Sequence, residues 1–409
     1  MRPKPKIQSA RSEVQHPTGQ SAASGLSSVA AATGYGRGTT DKPRYIMIGG
    51  FLGAGKTTAL SRLARHLTGQ GLRVGLITND QGNQLVDTAT LASQGFPVEE
   101  IPGGCFCCRF NSLIEAARKL SAETRPEAFI AEPVGSCTDL VATVSYPLRR
   151  LYGDAFTIAP LSVLVDPIRA LRVFGLAEGG KFSDKVRYIY RKQLEEADLI
   201  VINKCDLLAA EQRNSLNTAL EENFPTTRRF EISARKGIGL EEWFERLMTD
   251  SPSGRPAMAL DYEVYAQGEA LLGWLNATLD LNADVPFDGN GLLKELAANL
   301  QDRLARQGAE IAHLKLTLDP EVGLGDLGVI NLVRNDYLPE LSQELHDPVQ
   351  GGQLILNLRA EVSPQVLRRA LEEGLATWSA ESGNVRMRLE HVECFQPGKP
   401  LPTHRLSVP

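Results

Sequence analysis

No run of 18 or more apolar residues occurs in this 409-residue chain, so no segment reads as a membrane-spanning helix and no membrane partner is expected. Nor do basic residues dominate: 44 Lys and Arg against 49 acids leave a net charge of −5, which argues against a protein that coats nucleic acid. The six histidines show no ligand spacing. Cysteine is as scarce, and six in so long a chain, three of them clustered, do not make a disulfide framework. They suit a reducing, cytoplasmic compartment in which thiols serve metal or redox chemistry. Residues 1–42 have little apolar content and carry six Lys or Arg against two acids amid Ser, Ala, Gly and Thr. That composition reads as a disordered tail; the scarcity of acids also suits a transit peptide, but the apolar core of a secretory signal is missing. The chain as a whole, 42% hydrophobic and 23% charged, has the balance of a soluble globular protein with length for two domains.

What is present begins with Gly50 to Thr57, G-F-L-G-A-G-K-T, directly after the apolar run Tyr45-Ile46-Met47-Ile48. This is a strand entering a phosphate-binding loop, G-x-x-x-x-G-K-[ST]. Glycines at 50, 53 and 55, with Ala54 between, let backbone N–H groups turn inward around a polyphosphate. Lys56 supplies a point charge to the outer phosphates, and the Thr57 hydroxyl is placed to ligate Mg²⁺. Beyond Thr58, Leu60, Leu63, Ala64 and Leu67 form one face of a helix whose N-terminus points at the phosphates.

Roughly 150 residues on, the apolar strand Leu199–Ile202 delivers Asn203-Lys204-Cys205-Asp206. An N-K-x-D loop suits guanine, because one carboxylate accepts from the ring N1–H and the exocyclic amine together. Adenine lacks that donor pair and would leave the Asp206 carboxylate unpaired. A further strand at Phe230–Ile232 leads to Ser233-Ala234-Arg235, the place for a backbone contact to the guanine oxygen. Leu240, Trp243, Phe244 and Leu247 then give an amphipathic helix.

Between Tyr45 and Met248, strands at Tyr45–Ile48, Val74–Thr78, Phe129–Ala131, Leu161–Val165, Leu199–Ile202 and Phe230–Ile232 alternate with helical patterns. Most are apolar on both faces, as in a parallel sheet covered by helices, with ligand loops at the strands' carboxyl ends. The expected organisation is a tail over 1–42, an α/β nucleotide-binding domain over 43–250 and a smaller α+β domain over 251–409, entered through the turn-rich Thr249–Pro256. In the last part the pattern reads strand (Ala270–Leu281), helix (Gly291–Arg306), strand (Ile311–Leu318), strand (Val329–Val333), strand (Gln353–Leu358), helix (Pro364–Thr377), strand (Val385–Val392). With one extra strand, this is a ferredoxin-like β-α-β arrangement. It carries no chemical motif and suits a lid, partner-binding or dimerisation module, so a homo-oligomer is open to it.

Gly103-Gly104-Cys105-Phe106-Cys107-Cys108 places three thiols within four residues, ahead of a helix with Leu113, Ile114, Ala117 and Leu120 on one face. The three can converge on one soft cation as thiolates, helped by the helix N-terminus. A redox switch and plain burial are the alternatives, and Cys137, Cys205 and Cys394 read as packing residues. The strand at Phe129–Ala131 ends in Glu132-Pro133-Val134-Gly135. A carboxylate there can hold Mg²⁺ and the glycine can admit the γ-phosphate, although a capping role for Glu132 is the competing reading. Thr78-Asn79-Asp80-Gln81-Gly82 is the natural switch loop; Asp80 could position the attacking water, help hold Mg²⁺, or cap the following helix. Asp166-Pro167 reads as a structural turn.

With G-G-F-L-G-A-G-K-T-T, G-G-C-F-C-C, E-P-V-G and N-K-C-D in this order, the stretch Pro43–Met248 resembles the CobW-type P-loop GTPases, within the wider group of HypB and UreG. The resemblance implies a P-loop NTPase fold and a metallochaperone or metal-cofactor assembly factor for zinc or cobalt, with GTP gating metal release to a client. It implies that Gly53, Gly55, Lys56, Thr57 and Thr58 hold phosphate and Mg²⁺, that Glu132 supports Mg²⁺, that Cys105, Cys107 and Cys108 hold the cargo metal, and that Asn203, Lys204 and Asp206 read guanine. The switch, N-D-Q-G-N-Q-L-V-D, departs from the family's N-E-F-G, and the absence of a histidine-rich tract argues against bulk metal storage.

The expectation is therefore a cytoplasmic GTPase, slow by itself because no arginine finger or switch glutamine stands at a recognisable place. Catalysis would be mostly positioning and charge neutralisation by Lys56, Mg²⁺ and backbone amides, with Asp80 and Glu132 assisting. A metal-responsive switch without delivery and a small-molecule kinase are the rivals.

Overall fold

The computed structural model describes residues 42–79, 86–320, 326–381 and 384–408. The expected tail up to residue 41 and the switch residues Asp80, Gln81 and Gly82 lie outside the described residues. Among the described residues, no helix is long and apolar enough to cross a membrane.

The first sheet is built on β1 (Arg44–Gly50), whose residues are all buried. It pairs in parallel with β4 (Ala128–Glu132) on one side, Ile46 opposite Ile130, and with β6 (Ser162–Val165) on the other, Gly50 opposite Leu164. The sheet continues through β2 (Val74–Asn79) to β3 (Val98–Ile101) at one edge, and through β7 (Leu199–Ile202) to β8 (Arg228–Glu231) at the other; β5 (Thr157–Ile158) flanks the start of β1. Burial of every residue in β1, β2, β4, β6 and β7 explains why these strands carry no polar alternation. The edge strand β3, V-E-E-I, escapes sequence reading because its two glutamates mask a four-residue strand. Chain order reverses beside β1, so the loops after β1, β4, β6 and β7 gather at one crevice. The helix α1 (Lys56–Gly69) covers one face with Leu60, Leu63, Ala64 and Leu67, each 0% exposed. Near the same face Trp243, also 0% exposed, donates from Nε1 to Ser162 Oγ at 2.9 Å.

The second sheet is antiparallel, in the order β12-β11-β10-β13-β9-β14, with β9 Leu272–Phe287, β10 Glu310–Asp319, β11 Gly328–Leu332, β12 Glu340–Gln343, β13 Val349–Glu361 and β14 Val385–Phe395. Taking β9, β10, β13 and β14 as the four basic strands gives the ferredoxin-like order, with two helices, Gly289–Arg306 and Pro364–Glu381, as its crossovers. Two details of the sequence reading are corrected. The hairpin of β11 and β12 adds two strands, not one. Ala270 and Leu271 end a helix, Tyr262–Leu271, rather than begin a strand: Asp261 caps it by accepting from the N–H groups of Glu263 and Val264.

The two sheets share packing. Leu272, Trp274 and Ala312 of the second sheet, with Tyr265 of the preceding helix, belong to the buried cluster that contains Phe51, Phe106 and Phe129.

Candidate nucleotide cleft and cysteine site

The loops at the sheet's crevice are fastened to one another by side chains remote in sequence. Gly55 stands at φ +88°, and a Cβ there would collide with Nδ2 of Asn203. That close approach lets Asn203 donate to the Ala54 carbonyl at 2.8 Å while its Oδ1 accepts from the Ala234 N–H at 3.0 Å. Lys204, itself left-handed at φ +55°, donates from Nζ to the Gly53 carbonyl and to Asp166 Oδ2, both at 2.8 Å. Asp166 is thus more than a turn: it caps the helix Pro167–Val173 and also holds Lys204. Its carboxyl lies well below the usual range, because Lys204 and Arg169 outweigh a burial that would raise it.

Asp206 stands 3.0 Å from Lys236 Nζ. Burial opposes its ionisation, but hydrogen bonds from Ser233 and Lys236 outweigh that and hold the carboxyl below its ordinary value. It is a carboxylate ready to accept from paired N–H donors.

At the other end, Lys56 and Glu132 are 7% and 6% exposed, with Nζ 4.0 Å from Oε1. Thr57 Oγ1 donates to the same oxygen at 3.2 Å. Oxygen donors this close suit a hard cation such as Mg²⁺. Gly53, Gly55, Lys56, Thr57, Thr58, Glu132, Gly135, Asn203, Lys204, Asp206, Ser233 and Ala234 all line one cleft of about 870 Å³, a size that accommodates a nucleotide. Gly50 lies within β1 and Ala54 is buried beneath the loop, and neither lines the cleft. Asp80 lies outside the described residues.

One wall of the cleft comes from the second sheet, through His313, Lys315, Arg334, Tyr337, Asn357 and Arg359. The C-terminal half, which carries no chemical motif, thus contributes polar side chains to the cleft. Along β10, His313, Lys315 and Thr317 alternate with Leu314, Leu316 and Leu318, which reads as a strand with one solvated face. Yet Lys315 is 6% and Thr317 1% exposed, and the helix Val86–Ala92 lies against this strand. Alternation was the available signal, and it does not say what covers the polar side.

The three clustered cysteines form the turn that enters the helix Phe110–Glu123, the N–H groups of Cys108 and Arg109 donating to the Cys105 carbonyl. Their sulfurs lie 2.9 Å (Cys105–Cys107), 3.3 Å (Cys105–Cys108) and 3.7 Å (Cys107–Cys108) apart, unbonded. Cys105 and Cys107 are buried and Cys108 is half-buried. Hydrogen bonds from Cys107, Cys108 and Cys137 draw the Cys105 thiol well below its usual value against the effect of burial. Cys107 is pushed well up by its neighbours and burial, and Cys108 goes to about 11, chiefly through Cys105. The three thiols thus oppose one another's ionisation, and a bound soft cation is what would stabilise three thiolates together. Cys137, assigned by its isolation in sequence to packing, does lie in the buried core and is in addition a neighbour of this cluster. It is 1% exposed and reaches the Cys105 thiol.

Two connections join cysteines and cleft. Asn79, at the end of β2 and lining the cleft, donates from Nδ2 to the Ile101 carbonyl at 2.8 Å and to the Gly104 carbonyl, next to Cys105, at 2.6 Å. Gln193 donates from Nε2 to the carbonyls of Gly135 and Cys137, at 2.9 and 2.8 Å. A C-terminal segment also crosses the thiols: the Leu401 N–H donates to Cys108 Sγ at 3.3 Å, and the Thr403 N–H to the Cys107 carbonyl at 2.8 Å.

Comparison with known proteins agrees with this geometry. Residues 44–229 match the family model described as CobW/HypB/UreG, nucleotide-binding domain. The chain is 29% identical over 183 residues to the zinc chaperone YeiR of Escherichia coli (strain K12), covering 44% of this chain and 52% of that protein. It is 32% identical over 185 residues to the zinc chaperone CobW of a Sinorhizobium species, covering 40% and 51%. The chain thus spans about half the length of these curated relatives. Among solved structures, the hydrogenase maturation factor HypB from Archaeoglobus fulgidus is 19% identical at a TM-score of 0.37, over 56% of this chain and 96% of that one. The sequence match covers the strands and loops that build the cleft, from β1 into β8, so this part of the chain is similar to the CobW/HypB/UreG nucleotide-binding domain.

Proposed function

We propose that this protein binds guanine nucleotide and Mg²⁺ in the cleft, hydrolyses GTP to GDP and phosphate, and uses the nucleotide state to control release of a divalent metal, zinc or cobalt, from Cys105, Cys107 and Cys108 to a client protein. The observation that carries the coupling is Asn79, whose side chain lines the cleft and is bonded to the carbonyl preceding Cys105. Asn79 belongs to the Thr78–Gly82 stretch read as the switch, so a change there on loss of the γ-phosphate would be felt at the thiols. The relatives named as zinc chaperones, matched over half their length, support the same reading.

In this reading, Asp206 accepts from the guanine edge, the Ser233–Ala234 backbone flanks the base, and Asn203 and Lys204 hold base and phosphate loops in register. Lys56 and the loop amides neutralise charge developing on the transferred phosphoryl group. Mg²⁺, held by Thr57 with support from Glu132, would supply further neutralisation across the outer phosphates. Asp80 is assigned to water or Mg²⁺ positioning, in a cytoplasmic protein of slow intrinsic turnover. Three thiols leave a fourth position on the cargo ion for an exchanging ligand, which favours transfer over storage.

The test is metal affinity, by chelator competition, in the GDP-bound protein and with a non-hydrolysable GTP analogue. The expected difference is roughly five-fold or more, the scale of an allosteric coupling. Equal affinities would sink the delivery mechanism while leaving a metal site in place.

A further inference from the structure

Outside the recognised loops, the strongest feature is the segment following β11. It runs beside the cleft from the phosphate loop to the guanine loop and is fastened at both ends. Gly53 stands at φ +76°, and a Cβ there would meet the side chain of Val333. Beneath this contact Arg169, 4% exposed, donates to the Ala312 carbonyl at 3.2 Å and to the Val333 carbonyl. At the guanine end, Arg235 Nη1 lies 2.8 Å from Glu340 Oε2, and its Nη2 donates to the Leu341 carbonyl at 3.1 Å. Glu340 also accepts from the Tyr337 hydroxyl at 2.8 Å.

Between these anchors sits Arg334, 5% exposed and lining the cleft, its guanidinium 4.9 Å over the Tyr337 ring. Nε meets Asp336 at 3.2 Å, and Nη1 lies 3.5 Å from Asp166 Oδ1, whose other oxygen holds Lys204. Nη1 has no hydrogen-bond partner among the described residues. A buried guanidinium with an unused donor at a cleft wall is costly unless an acceptor arrives. Planar donors of this kind match phosphate oxygens, and the ring beside it offers an apolar face to a ribose or base.

We propose that the segment from Val333 to Leu341 is the second wall of the nucleotide site, with Arg334 donating to the phosphate–ribose side of the bound nucleotide and Tyr337 flanking it. The nucleotide is then held between the two sheets, and its state reaches the C-terminal half directly. This rests on the reading of the cleft as a guanine-nucleotide site.

The experiment measures GDP and GTP-analogue binding to the full chain, with hydrogen exchange of wild-type protein in the free and bound states. Peptides covering residues 328–343 should gain protection alongside those of the phosphate loop. Arg334→Ala should weaken both nucleotides roughly ten-fold, the scale of one charge-assisted bond, and flatten the salt dependence, with Arg334→Lys recovering part of both. A segment that merely cements the sheets together would give normal salt dependence in Arg334→Ala and no exchange change at 328–343, and either result overturns the proposal. Wild-type protein that binds no guanine nucleotide overturns the cleft reading and this proposal together. Binding lost in Lys56→Ala but kept in Arg334→Ala leaves the cleft reading standing and removes only the second wall.

Discussion

At the scale of single residues, the proposed function has Asp206 and Lys56 divide recognition between base and phosphate. Asp206→Ala removes a carboxylate held in its ionised form by Ser233 and Lys236, and should weaken GTP by about 2 kcal/mol or more while leaving ATP affinity nearly unchanged. Lys56→Ala should weaken both triphosphates, because phosphates carry no base information. Fluorescent-nucleotide titrations separate the two; equal losses of GTP and ATP in Asp206→Ala would show that it does not read the base. For Cys105, Cys107 and Cys108, whose sulfurs lie within 4.8 Å of one another, Co²⁺ titration should give strong thiolate charge-transfer absorption at about one ion per chain. Any one Cys→Ser change should lower affinity sharply and spare GDP. The binding should weaken as pH falls, since Cys107 and Cys108 must lose protons from raised values and protons compete with the ion. Without a thiolate band, the redox and buried-thiol readings would gain.

At the scale of elements, the helix Tyr262–Leu271 carries Glu269, 1% exposed, beside Cys105 and Ser136. Burial, with the Cys105 charge adding to it, raises its carboxyl to about 8, and Tyr265 on the same helix is raised in turn. The folded protein therefore keeps a proton that the unfolded chain releases above about pH 4.3. This contribution to stability is fully present below that pH and is lost as pH rises toward 8. Glu269→Gln stays neutral, so denaturant unfolding should match wild type near pH 3.5 and show a gain on the order of 2 kcal/mol by pH 8. Parallel stabilities at both pH values would refute the buried neutral acid. The C-terminal segment invites a second test. Leu401 and Thr403 bond to the cysteine turn, and Arg405 pairs at 2.8 Å with Asp139, which is 1% exposed. Deleting residues 399–408 should speed modification of Cys107 and Cys108 by a thiol reagent several-fold. An unchanged rate would show that this segment does not protect them.

At the scale of the whole molecule, linkage would make the proposed coupling reciprocal: whatever factor separates metal affinity in the two nucleotide states must be the factor by which bound metal changes the ratio of GTP to GDP affinity. Calorimetry of nucleotide binding with and without metal checks it, and unequal factors would mean that the two titrations do not report one equilibrium. The shared packing of the sheets bears on the path. Phe106 of the cysteine turn lies in the buried cluster with Phe51 of the phosphate loop and Trp274 of the second sheet, so the three share one close-packed interior.

Most of the parallel sheet was legible because its strands are continuous apolar runs and its helices have clean 3.6-residue faces, as with Leu113, Ile114, Ala117 and Leu120. The phosphate loop, the N-K-x-D loop and the three thiols were legible as local patterns, in which residue type and spacing within a few positions define the chemistry offered. Less was legible where a feature depends on which surfaces meet. The alternation in β10 shows that two faces differ but not that Lys315 and Thr317 are buried. Cys137 is 29 residues from the nearest clustered cysteine in sequence and becomes its neighbour only when β4's loop folds against the cysteine turn. The bond from Asn79 to Gly104 and the placement of Arg334 against Asp166 belong to the same class. The sequence by itself determined which groups could bind phosphate, guanine and a soft metal, since those are short-range properties of side chains and turns. Only the tertiary structure decided that the second sheet closes the cleft and that cleft and thiols share a buried connection, because long-range contacts follow from how whole faces pack.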